Sequence, residues 1–149
     1  MNKVSLIKKE NELRLLIRNE LEDITFNPEN INKDEFKEKF EEAKAFLLEM
    51  ENNDETLSKY AKTMANIYTL WSVVILNRDS IPKSPEAAKR YSDFMELVSQ
   101  FKEHPDSKPE TLLGELASKY RNNSLGASTD LKQRAERHDA LLEALKWEE

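Results

Sequence analysis

Apolar residues recur along this chain at intervals of three and four, the period that lines up side chains on one face of an α-helix. No stretch shows the strict alternation of a half-buried strand. Read on the helical period, the sequence predicts six helices. The densest stretch is 57–76, where Leu57, Tyr60, Ala61, Met64, Ile67, Tyr68, Trp71, Val74 and Ile75 follow helical spacing. Leu70 and Val73 then fill positions that a surface helix leaves polar. A helix that is apolar on every side has to be surrounded by others. The pattern therefore predicts an all-α fold: a single-domain bundle, spanning 1–149, of five or six helices packed around a central helix at about 57–77.

The other five candidates are amphipathic. Over 6–24 the stripe is Leu6, Leu13, Leu16, Ile17, Leu21 and Ile24. It ends at Thr25-Phe26-Asn27-Pro28, since a residue before proline is pushed out of the α region. Asn32 with Glu35 forms a capping box for the next helix, whose stripe is Phe36, Phe40, Ala43, Leu47 and Met50, spaced 4-3-4-3. The short turn Asn52-Asn53-Asp54 makes that helix and the central one antiparallel neighbours. Ser84 as N-cap, with Pro85 at the first helical position, opens the fourth helix. It carries Tyr91, Phe94, Met95, Val98 and Phe101 and stops at His104-Pro105. Ser107-Lys108-Pro109-Glu110 repeats that start signal before a short helix with Leu112, Leu113, Leu116 and Tyr120 on its apolar side. Gly126 is a left-handed stop for it. Ser128 or Thr129 caps the last helix, whose stripe of Leu131, Ala135, His138, Leu142 and Leu145 is again 4-3-4-3. The two similar starts do not mark a repeat, because the apolar positions that follow them do not superpose.

Composition narrows the function classes. In 149 residues, 38% are hydrophobic and 35% charged, enough for one ordinary core. Two glycines, Gly114 and Gly126, are too few for a fold of tight turns between strands. No cysteine occurs, so disulfides, thiolate metal sites and cysteine nucleophiles are excluded, as befits a reducing, cytoplasmic setting. The first twenty residues break every apolar run with charge, unlike a signal peptide. The uncharged run 63–77 contains Thr, Asn and Ser and is too short to span a bilayer, so no membrane partner is expected. A net charge of −6 disfavours binding to nucleic acid or anionic lipid by the surface as a whole.

Candidate chemistry is sparse. His104 sits at a helix end, where an imidazolium favours the helix dipole. His138 lies on an apolar stripe, but Glu136 and Asp139 are two and one residues away and do not face it, so it reads as a packed core or interface histidine. The Glu-x-x-His pair of bundle di-metal sites fails at Ala135. No phosphate loop and no nucleophile elbow is present, and no metal or cofactor is expected. Lys119, Arg121, Lys132, Arg134 and Arg137 form a basic strip opposed only by Asp130 and Glu136. It reads either as a phosphate-contacting surface or as an ordinary mixed-charge face. Trp147 is either the anchor that docks the last helix or a partner contact. The 4-3-4-3 stripes are coiled-coil-like seams, able to pair within the bundle or with another chain. The leading expectation is a non-enzymatic protein–protein interaction module (an adaptor, small subunit or inhibitor of a larger protein) binding another protein or itself, with His138 and Trp147 as candidate contacts. The alternatives are an accessory subunit of a nucleic-acid-processing assembly using the basic strip, and an acidic nucleic-acid mimic using Glu35, Glu38, Glu41, Glu42 and Glu49. An enzyme is the least supported class.

Overall fold

Thr63 divides what the sequence presents as one long helix. Its backbone is extended (φ −92°, ψ 156°) and its hydroxyl accepts from the Asn66 N–H at 3.1 Å, the geometry of an N-cap. Two residues earlier Ala61 leaves the helical region (φ −107°, ψ 51°). The computed structural model, which describes residues 33–53, 55–125 and 131–146, thus contains a short helix α2 (Thr56–Tyr60) and a central helix α3 (Met64–Asn77). Around them lie α1 (Lys33–Asn52), α4 (Ser84–Glu103), α5 (Leu112–Asn122) and α6 (Leu131–Lys146). Among the described residues there is no strand; the fold is an all-helical bundle of six helices. The helix expected over 6–24 and the caps expected at Asn32, Ser128 and Thr129 lie outside the described residues.

The central position of α3 follows from its composition. Every residue from Ile67 to Ile75 is buried, including the polar Thr69 and Ser72. Trp71, fully buried, stacks on Phe40 of α1 with ring centroids 4.5 Å apart. That contact joins the middles of the two helices, and the antiparallel pairing expected from the short connection is not borne out by it: Phe46, further along α1, meets Arg78, just past the end of α3. Phe40, Ala43, Leu47 and Met50 point into the core as expected, joined by Phe46, whose ring lies 4.4 Å beneath the Arg78 guanidinium.

Side chains expected as outer decoration also hold helix ends. Glu51 is 7% exposed; its carboxylate accepts from the Ser58 N–H (3.2 Å) and hydroxyl (2.8 Å) in the first turn of α2. A carboxylate there satisfies an otherwise unpaired donor and complements the helix dipole. Glu49 accepts from the Ser84 hydroxyl at 2.8 Å. That bond changes the expected start of α4: Lys83 is the N-cap, Ser84 opens the helix and Pro85 follows in its first turn. The start of α5 also shifts. Ser107 closes a turn by donating its N–H to the His104 carbonyl (3.1 Å), and Thr111 caps the helix by accepting from the Gly114 N–H at 2.9 Å. Gly114 suits that cap: an added Cβ would approach Thr111 Oγ1 to 3.2 Å and Pro109 Cβ to 3.5 Å.

Candidate functional site

The densest assembly of polar side chains lies between α3, α5 and α6. From α3 it takes Asn66, Thr69, Ser72 and Asn77, which step along one side of an otherwise apolar helix. From α6 it takes Arg137 and His138. Arg137 is 1% exposed; its Nε donates to Thr69 Oγ1 (3.2 Å) and its Nη1 to the Asn123 carbonyl (2.7 Å), just past the end of α5. Tyr120 of α5 donates its hydroxyl to Asn66 Oδ1 at 2.9 Å and meets Phe94 of α4 edge-on at 5.5 Å. Burial pushes the Tyr120 phenol up to about 12; the Arg137 charge and the Thr69 hydroxyl pull it the other way.

His138 is held on both ring nitrogens, with Nδ1 3.3 Å from Ser72 Oγ and Nε2 3.3 Å from Asn77 Nδ2. The neighbours fix its tautomer. Asn77 Nδ2 also donates to the Val73 carbonyl (3.1 Å), which sets the amide orientation and makes it a donor toward the ring. Nε2 must therefore be the lone-pair nitrogen. Ser72 gives its own proton to the Thr69 carbonyl (2.9 Å), leaving its oxygen to accept from Nδ1–H. Burial pushes the imidazole below its ordinary value, and the Asp139 carboxylate opposes that. These hydrogen bonds run between turns and between helices, so the assembly acts as a joint that fixes α6 against α3 and the end of α5.

One member of the sequence-predicted basic strip is not at the surface. Arg137 faces inward and presents no charge to solvent, correcting its place in a phosphate-contacting row. Its register explains this: positions 137, 138, 140, 141, 144 and 145 of α6 are buried, whereas Lys132 and Asp139 are exposed. Lys119 pairs with Glu136 at 2.9 Å, which holds that carboxyl below its usual range. Arg121 donates to Asn122 Oδ1 at 3.1 Å, and Arg134 is half-buried. His138 is likewise corrected as a partner contact, since it is 8% exposed and bonded inward. Trp147 lies outside the described residues. The acidic run on α1 is partly committed too, with Glu41 paired to Lys44 (3.2 Å) and Glu49 bonded to Ser84. The two seams are used inside the molecule: Phe40, Leu47 and Leu145 are fully buried and Leu142 packs on the core, while the Phe36 and Leu131 side chains lie outside the described residues.

Sequence reasoning placed Arg137 on the surface strip and missed its buried partners. A signal was present in Asn66, Thr69 and Ser72, polar residues three apart on a helix that is otherwise core; such a row demands polar counterparts.

Among the described residues no group of three or more His, Asp or Glu side chains is placed to hold a metal ion. At the end of α3 a hollow of about 290 Å³ is lined by Lys39, Glu42, Ala43 and residues 74–80, at the lower edge of the usual range for a small-molecule pocket, and a more open one of about 500 Å³ lies beside Asn52, Thr56, Ala88 and Ser92. Among the described residues, the large apolar side chains left exposed are Leu112 (60%), which opens α5, and Leu125 (47%), three residues past its end. The fold and joint define a helical bundle with a polar seam beside its central helix. No protein-family model, curated protein or solved structure matches the chain.

Proposed function

We propose that this protein is a non-enzymatic protein–protein interaction module, an adaptor, small subunit or inhibitor of a larger protein, that meets its partner along the flank of α5. The observation that carries this reading is the position of Leu112. It is 60% exposed, Leu116 lies one turn further on the same side, and Leu113 is adjacent; the latter two are half-buried against the core. Three neighbouring leucines form a ridge on a surface otherwise rich in charge, bordered by exposed Glu110 and Glu115 and closed by the Lys119–Glu136 pair. Covering one leucine on association contributes about 1.5–3 kcal/mol, and a charged border around an apolar contact gives register. The matching partner surface is an apolar groove or helix face on a second protein.

The test compares wild type with Leu112→Glu in pull-downs from native cells at low salt, with and without nuclease. Recovery of a near-stoichiometric protein, insensitive to nuclease and lost in the variant, supports the reading. Recovery that the variant does not alter removes α5 as the docking flank. Recovery that depends on nuclease transfers support to the cations that remain at the surface near Lys132.

A further inference from the structure

We propose that His138 is a proton-sensitive latch: the neutral imidazole ties the end of α3 to α6, and protonation of Nε2 releases that tie and loosens α6. The argument rests on hydrogen-bond polarity. The Asn77 amide nitrogen has only protons to offer, and its orientation is set by the 3.1 Å bond to the Val73 carbonyl. A proton on Nε2 would place donor against donor across a 3.3 Å contact. Turning the amide to present its oxygen would break the Val73 bond. Nδ1–H keeps its acceptor, Ser72 Oγ, in either state, so the change is confined to the Asn77 side.

The surroundings give an imidazolium little compensation. From α3 the ring meets Ser72 and Asn77, both neutral. Arg78, next along the chain, lies over the Phe46 ring. From α1, Lys39 and Glu42 share the hollow bordered by Asn77, a mixed pair of opposite sign. From α5, Lys119 is held by Glu136, and Tyr120 is neutral with its hydroxyl on Asn66. From α4, Arg90 donates to Glu86 and to the Leu145 carbonyl, about two turns further along α6. On α6 itself, Arg137 adds positive charge but is turned to Thr69 and Asn123. Asp139 is the charged neighbour that favours protonation, and it is exposed. Water is largely excluded from the ring, which is 8% exposed. The proton comes from solvent, and no other reactant is needed.

The test is a pH titration of the full chain by NMR, with His104→Gln used to assign the one remaining histidine signal. At neutral pH, long-range ¹H–¹⁵N correlations should show Nδ1 protonated and Nε2 bare. The His138 midpoint should fall below the ordinary histidine value of about 6.5. Asn77→Asp replaces the donor with an acceptor and should raise the midpoint above wild type. Amide exchange in α6, corrected for intrinsic rates, should accelerate on acidification in wild type and lose that dependence in Asn77→Asp. A protonated Nε2 at neutral pH, or a wild-type midpoint at or above 6.5, overturns the proposal even if the variant does not fold. So does α6 exchange that is indifferent to the His138 titration.

Discussion

Tyr91 and Tyr120 are both fully buried aromatic residues on neighbouring helices, and they differ in what their hydroxyls find. Tyr120 donates to Asn66, whereas Tyr91 has no hydrogen-bond partner among the described residues. A buried hydroxyl carries a desolvation cost that only a partner offsets. Tyr120→Phe should therefore destabilise the protein by about 1–3 kcal/mol, because it also strands the Asn66 oxygen. Tyr91→Phe should leave stability unchanged or raise it by up to about 1 kcal/mol. Urea melts of the two variants beside wild type check the contrast. Tyr120 also sets an alkaline limit. Its folded-state pKa is raised to about 12 from an ordinary 10.0, mainly by burial, so the folded state holds its proton when the unfolded state has lost it. That contribution is complete below pH 10 and is lost as pH rises toward 12. The wild-type melting temperature should fall across that window, and less steeply in Tyr120→Phe.

At the scale of elements, the break between α2 and α3 shows what periodicity alone does not reveal. Apolar spacing runs through 57–77 without interruption, yet Thr63 caps a new helix and Glu51 reaches across to accept from the Ser58 N–H in the first turn of α2. Both are side-chain-to-backbone bonds that compete with helix continuation, and Thr63 carries its own signal as a cap residue. Thr63→Ala should cost about 1 kcal/mol, read as a shift in the urea midpoint with an unchanged slope. Ahead of α2, Glu55 occupies the left-handed region at φ 54°, where a side chain is strained. Glu55→Gly should stabilise by about 0.5–1 kcal/mol, since the strain relieved exceeds the chain entropy that glycine adds. The last helix shows a different failure. Its leucines and His138 pointed to a face that includes Leu142, but Arg137, Ala140, Leu141 and Ala144 are buried beside His138 and Leu145, and Leu142 lies at the flank. Arginine reads as a surface residue and alanine as only weakly apolar, so the pattern placed the stripe to one side of its true centre.

At the scale of the whole molecule, the buried apolar groups among the described residues are gathered into one cluster drawn from all six helices, and the ridge on α5 stands outside it with Leu112 exposed. No helix among the described residues is long and apolar enough to cross a membrane. Because Leu112 is largely exposed, Leu112→Glu should change folding stability by no more than about 0.5 kcal/mol. Any loss of partner binding in that variant then reports on the surface rather than on unfolding, and a thermal melt beside the pull-down separates the two.

The sequence by itself determined that this chain is an all-helical bundle around the segment that became α3, because burying nine consecutive residues requires neighbours on every side. It also determined most of the inward positions on α1 and α4, where large apolar residues make the period unmistakable. Only the tertiary structure decided which way α6 is turned and what the polar residues do. Those outcomes rest on hydrogen bonds between residues far apart in the chain: Thr69 with Arg137, Ser72 and Asn77 with His138, Asn66 with Tyr120. Apolar burial depends on one residue's own character and is written locally. A matched donor and acceptor between distant segments exists only when those segments meet, and so Arg137 left the basic strip and became part of the core.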